Sequence, residues 1–232
     1  MSSTDGDGIS RRSLLAGVAA FGAGLSLAPR HLSGAEAPKG AVNIVTSAEA
    51  LERLRAGNER FTSGAPLAPR RDLAHLRTLA PNQAPFAAVL GCADSRVPIE
   101  VIYDQGFGDL FVVRVAGNVA TSVEIASLEY GTIVLGASVL IVLGHSNCGA
   151  VKAALAGGDV PGQISTLYQH IAPPLDRKTM DLDDAIAANV RYQARKLISG
   201  STVIPNLRRD GKLVVLGGVF ELKTGTVVPV EL

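Results

Sequence analysis

Two stretches decide the fold of this 232-residue chain: Ala87-Ala-Val-Leu-Gly-Cys92-Ala-Asp-Ser-Arg96 and Val139-Leu-Ile-Val-Leu-Gly-His145-Ser-Asn-Cys148. Each begins as a short apolar run that stops at a glycine, the pattern of a strand buried on both faces of a parallel sheet. Each then delivers polar, chemistry-bearing residues just beyond the strand. In open α/β sheets, ligands bind beyond the carboxyl ends of the strands. The two stretches contain both cysteines of the chain and one of its four histidines.

The rest of the sequence extends this pattern. An amphipathic helix is expected to begin at Ser47, with Leu51, Leu54, Asn58 and Phe61 on one face, and to stop at Gly64 and Pro66. It reads as an N-terminal helical arm, free to pack on its own domain or to reach a partner. A second helix is expected over 71–79, strands over 86–91, 110–115 and 139–143, and helices over 122–135, 149–156 and 181–198. Pro98 opens a short helix, another runs from Gln163 to Pro173, and one or two strands over 212–216 and 226–230 close the chain. Alternating strands and helices imply an α/β fold, with a mainly parallel central sheet flanked by helices.

Composition excludes several functions. Hydrophobic residues make up 47% of the chain, enough for a core that aliphatic side chains must fill, since aromatics are 4% and Trp is absent. The net charge is +1, and it stays +1 without residues 1–37, which hold three basic and three acidic residues. No basic patch points to a nucleic-acid partner. Arg11-Arg12 precedes an apolar run over 14–28, about 15 residues against the ~20 that span a bilayer. This reads as a secretory signal of the twin-arginine type. Residues 1–37 are therefore expected to be a signal peptide and linker, and 38–232 one catalytic domain. The mature chain is expected to be exported, to the periplasm or outside the cell, without a stable membrane span.

Two cysteines in an exported protein can form a disulfide, or lie buried as free thiols. Three features favour a metal site instead. His145 precedes Cys148 by three residues, so a tight turn can aim both at one point. Asp94 and Arg96 accompany Cys92 with a carboxylate and a guanidinium. Both stretches end strands that can share one edge of the sheet. Two thiolates and one imidazole make a Cys2His set, which suits a catalytic zinc that keeps its fourth position open.

Cys92-x-Asp94-x-Arg96 together with His145-x-x-Cys148 resembles the paired signatures of the β-class carbonic anhydrases. The resemblance extends to Asp94-Ser-Arg-Val-Pro98, Gly108-Asp-Leu-Phe-Val-Val-Arg114, Ala116-Gly-Asn118, Glu129-Tyr130 and the Leu51-Glu-Arg-Leu segment before Gly57-Asn58. Val115 departs from the asparagine that many members carry there. The resemblance implies one zinc per chain on Cys92, His145 and Cys148, with a water ionised to attack CO2 and give bicarbonate and a proton. Two thiolates cancel the charge of the ion, so activity is expected to rise toward alkaline pH.

Within the family, Gln83, Phe111 and Tyr130 match the substrate pocket of the plant-like, open type. Val89 stands where the bicarbonate-regulated type carries Trp. In the open type Arg96 holds Asp94, which orients the attacking water; released, Asp94 would ligate the metal and close the site. Gln83 and the backbone N–H of Gly149 would hold an oxygen of CO2 or bicarbonate. Phe111 and Tyr130 would shape the apolar pocket. The resemblance also implies a homodimer or higher oligomer, in which the pocket residues come partly from the neighbouring subunit. The rival functions are hydrolysis of COS or CS2 on the same scaffold, and non-catalytic binding of zinc or bicarbonate.

Overall fold

The structure, a computed structural model, describes residues 45–232; the expected signal segment and linker lie outside the described residues. Five strands form one sheet: β1 (Ala87–Gly91), β2 (Leu110–Arg114), β3 (Val139–His145), β4 (Val214–Phe220) and β5 (Val227–Val230). Their order is β2-β1-β3-β4-β5. The first three pairings are parallel, and β5 returns antiparallel along β4. The chain steps from β1 to β2 on one side, then crosses back to β3 on the other. The crevice between the carboxyl ends of β1 and β3 is thus the topological switch point, where such sheets bind ligands.

Side chains alternate across the two faces, as the pleat requires. Ala88, Leu90, Leu140 and Val142 enter one core, with residues from α4 (Ser122–Glu129), α5 (Gly149–Ala156), α6 (Ser165–Ile171), α7 (Leu182–Gly200) and α8 (Val203–Arg209). Ala87, Val89, Val139, Ile141 and Leu143 enter the other, with α1 (Ser47–Thr62) and α3 (Ile99–Ile102). Covering both faces explains why β1 and β3 are apolar throughout.

The N-terminal arm packs on its own chain. Thr46 and Glu49 form a capping box that starts α1, with the Thr46 N–H donating to the Glu49 carboxylate at 2.9 Å. Asn58 is buried and ties the arm to two distant elements. Its Nδ2 donates to the Ile102 and Gly225 carbonyls, and its Oδ1 accepts from the Val227 N–H. A Cβ at Gly57 would lie 1.8 Å from the Tyr103 carbonyl oxygen, so only glycine permits this approach. By contrast α2 (Leu73–Leu79), started by Asp72, buries none of its residues.

Four elements differ from the sequence reading; one is β4, expected over 212–216, which starts at Val214 and runs on to Phe220. β3 runs on through His145, because each residue up to His145 pairs with β4 as far as Phe220. The helix expected over 122–135 is α-helical only to Glu129 and continues as a π-helical stretch, Tyr130–Val134. There the Thr132 hydroxyl donates to the Leu128 carbonyl at 2.8 Å, a local bond that competes with the regular ladder. Helix α8 was not expected: it is a single short segment that contains Pro205, which is tolerated in the first turn.

Candidate metal centre

Cys92 lies immediately after β1, His145 is the last residue of β3, and Cys148 caps the N-terminus of α5. The side-chain donor atoms of these three buried residues lie within 4.8 Å of one another. The turn that joins His145 to Cys148 is tight because Asn147 takes a left-handed conformation, φ 53°, which Asn tolerates better than most residues. Ser146 fastens this turn to the end of β4. Its N–H donates to the Phe220 carbonyl, and its hydroxyl accepts from the Leu222 N–H, both at 2.9 Å.

The donors fit a metal. His145 Nδ1 is 3.0 Å from the Ser146 carbonyl, so that nitrogen carries the proton and leaves Nε2 as the lone-pair donor. Nε2 is buried and has no hydrogen-bond partner. A buried nitrogen without a partner is costly in a folded protein unless something such as an ion completes it. Both cysteines are free. The Cys148 thiol, hydrogen-bonding to Cys92, holds the Cys92 sulfur well below the usual thiol range against the opposing effect of burial. The Gly117 and Asp94 N–H groups add to this. Cys148, the donor of that pair, is pushed up by the same contact. Cys92 therefore already favours the thiolate that a soft cation needs, while Cys148 keeps its proton until a cation replaces it. Two thiolates and an imidazole are a zinc donor set.

Asp94 and Arg96 border this cluster. Arg96 Nε and Nη2 donate to the two Asp94 oxygens at 2.9 and 2.8 Å, and the Arg96 N–H adds a third bond at 2.9 Å. Such a fork fixes both distance and plane. The Arg96 guanidinium holds the Asp94 carboxyl well below its ordinary value, which favours the ionised form. Asp94 Oδ2 lies 3.8 Å from His145 Nε2.

Arg114 is a functional residue that the sequence reading did not single out. It ends β2, and its guanidinium donates to the Cys92 carbonyl at 2.9 Å and to the Asp94 carbonyl at 2.6 Å. It clamps the backbone of the loop that carries the thiolate and the carboxylate. Its only signal in the sequence is one charge at the end of an otherwise apolar strand.

The remaining site candidates divide. Gly149 opens α5 directly after Cys148, with no atom within 4 Å of the place a Cβ would take. Gln83 and Tyr130 line a cavity of about 480 Å³ together with Leu76, Leu79 and Phe107. Phe111 stacks against Tyr130, with ring centroids 6.1 Å apart. Gln83 is not brought to the cysteines within one chain. Gln83 precedes β1 whereas Cys92 follows it, and the five residues of β1 span ~17 Å at ~3.3 Å each.

Comparison with known proteins agrees with this geometry. The sequence pattern of the carbonic anhydrase family matches residues 87–227. Carbonic anhydrase 2 of Mycobacterium tuberculosis is 38% identical over 77% of this chain and 90% of its own length. The solved β-carbonic anhydrase CcaA is 27% identical, with a TM-score of 0.62, over 77% of this chain and 86% of that one. Two tetrameric β-carbonic anhydrases from Sordaria macrospora, 24% identical, share the fold with a TM-score of 0.60 over 80% and 95% of the two chains. The chain belongs to the β-class carbonic anhydrase family. It is a zinc enzyme that hydrates carbon dioxide, and the COS or CS2 reading is not favoured.

Proposed function

We propose that Cys92, His145 and Cys148 hold the zinc ion, that Asp94 and Arg96 orient the attacking water, and that the site is of the plant-like, open type. The observation that carries this reading is the orphaned, buried His145 Nε2 between two thiols, with a carboxylate fixed 3.8 Å away. Bound there, zinc would help ionise a water and so supply the nucleophile, more fully as pH rises. With the ion in place, Asp94 would accept a hydrogen bond from the attacking water and orient it toward CO2. Arg96 keeps Asp94 in this role by occupying both of its oxygens, which draws the carboxylate away from the metal position. That pairing supports the open type. Arg114 holds the loop that carries Cys92 and Asp94 in register. The Gly149 N–H, at the start of a helix where the dipole favours negative charge, holds an oxygen of the developing bicarbonate.

Gln83, Phe111 and Tyr130 complete the pocket from a neighbouring subunit in this reading. Two observations support an oligomer: Gln83 lies at the far end of β1 from the cysteines of its own chain, and apolar side chains on the same side are exposed. Val123 is 69% exposed, Ile133 55% and Tyr130 44%. The tetrameric Sordaria enzymes, which share the fold, are consistent with this. We also propose export by the twin-arginine route, supported by Arg11-Arg12 and the apolar run after it. Among the described residues no helix is long and apolar enough to cross a membrane. N-terminal sequencing of the mature protein is expected to start near residue 38; a chain that begins at its initiator end would overturn this.

The central test is stopped-flow CO2 hydration at neutral and alkaline pH, on protein of known zinc content. One zinc per chain with activity that rises toward alkaline pH is the expected result. Asp94→Ala is expected to remove most activity while zinc is kept. Full activity in that variant would overturn the role given to Asp94.

A further inference from the structure

Helix α7 carries two fully buried amides, Asn189 and Gln193, on a face otherwise made of Ala185, Ile186, Val190, Ala194 and Leu197. Buried amides persist in an apolar face only where their hydrogen bonds are met. Here they are met by the loop beside the metal centre. Asn189 Nδ2 donates to the Gly117 carbonyl at 2.9 Å. Gln193 Oε1 accepts from the Ala120 N–H at 2.9 Å. Gln193 Nε2 donates to Asn189 Oδ1 at 2.9 Å and to the His170 carbonyl at 2.8 Å. The pair, one turn apart on the helix, thus grips the loop at both ends. Within that loop the Gly117 N–H points at the Cys92 sulfur, 3.3 Å away.

Gly117 is where this grip matters. It adopts φ 72°, and a Cβ there would come within 2.5 Å of Ile171 Cδ1. A glycine has wide conformational freedom, so its own backbone does not fix where its N–H points. The clamp on its carbonyl and on the Ala120 N–H does so. Groups that hydrogen-bond to metal ligands tune how strongly those ligands donate.

We propose that Asn189 and Gln193 are positioning residues of the metal centre, acting on Cys92 through the backbone of Gly117. They touch neither substrate nor metal. Their effect is to keep one N–H on the Cys92 thiolate, which lowers the energy of its lone pairs and sets how tightly the ion is held. This rests on the reading of Cys92 as a metal ligand.

The test uses the full protein loaded with cobalt in place of zinc, read by the near-ultraviolet sulfur-to-cobalt charge-transfer band. Asn189→Leu removes the bond to Gly117 at similar volume. Its band is expected to shift to longer wavelength, and its metal affinity, by chelator competition, to fall by about tenfold or more. Gln193→Glu keeps the acceptor for Ala120 but loses both donors; it is expected to give a smaller shift in the same direction, and serves if Asn189→Leu does not fold. Leu197→Ala, on the same helix, is the control that lowers Tm without moving the band. If both amide variants lose Tm as Leu197→Ala does, with the band at its wild-type position, the amides are structural only and the proposal fails. A wild-type protein that takes up cobalt with no such band would instead sink the ligand reading of Cys92, and the positioning role with it.

Discussion

Cys92 and Gln83 stand at opposite ends of the same strand, and the two ends are built differently. The carboxyl end is closed. Its three donors are buried, its loop is clamped by Arg114, and its carboxylate is fixed by Arg96. The amino end is open. It has a cavity lined by Leu76, Leu79, Phe107 and Tyr130, a helix α2 that buries nothing, and exposed apolar side chains around it. A metal must meet donors already in place, since each would otherwise have to be ordered at the moment of binding. An apolar groove can await a second surface, because burial there is driven without fixed geometry. In the reading proposed above, one chain completes its own metal centre and lends its open end to a neighbour.

The largest expected effect separates the ends outright. His145→Ala is expected to lose bound zinc, by elemental analysis, and to bring CO2 hydration down to the uncatalysed rate with particle size unchanged by light scattering. Prolonged dialysis of wild-type protein against a chelator is expected to do the same, reversibly on return of zinc. Retained activity without zinc would break the comparison at its closed end.

Asp94→Ala is expected to lower hydration by about 10²-fold or more, the scale of a group that positions or moves a proton in the reaction, with the metal kept. Equal loss of zinc and activity would mean that Asp94 builds the centre and does not act in it.

A charge on the open end comes next. Tyr130→Asp and Ile133→Asp place a carboxylate on the exposed apolar face. Light scattering at micromolar concentration is expected to show smaller particles that keep their zinc yet lose much of their activity. Dissociated particles with full activity would show that the open end contributes nothing to the reaction.

The smallest effect on activity is expected from Asp104→Asn. The buried Asp104 accepts from Arg60 Nε at 2.6 Å, from the Leu67 N–H at 3.0 Å and from the Ala68 N–H at 2.8 Å, and so ties the segment before α2 to the domain. Burial alone would raise its carboxyl, but Arg60 and these N–H groups outweigh it and hold it below its ordinary value of 3.8. A carboxyl lowered by folding stabilises the native state above its unfolded value, and that stability is lost as pH falls through the folded one. Chemical denaturation of metal-stripped protein is expected to show a deficit of about 2 kcal/mol at neutral pH, which shrinks as the pH drops below 3.8. A deficit that does not change with pH would mean that the charge of Asp104 contributes nothing.

Much of this was legible in the sequence because its physics is local. Apolar runs closed by glycine marked β1 and β3, and a strand buried on both faces has no other composition open to it. The spacing from His145 to Cys148 and from Cys92 to Asp94 and Arg96 marked the donors, because a turn of fixed length can aim them only so far. The role of Arg114 is not legible in the sequence, since its partners are backbone carbonyls 20 and 22 residues away. Asn189 and Gln193 read as ordinary helix residues for the same reason. Their partners lie 72 and 73 residues earlier in the chain.

By itself the sequence determined the class of fold, the course of the two central strands and the three candidate metal donors, since hydrophobic period and short spacing act within a few residues. Only the tertiary structure decided that the arm packs on its own chain through Asn58, that Arg114 reaches the Cys92 and Asp94 carbonyls, and that the Gln83 cavity opens at the far end of β1 from Cys92. Those outcomes depend on which distant groups meet when the sheet closes in the order β2-β1-β3-β4-β5, and no local pattern encodes such a meeting.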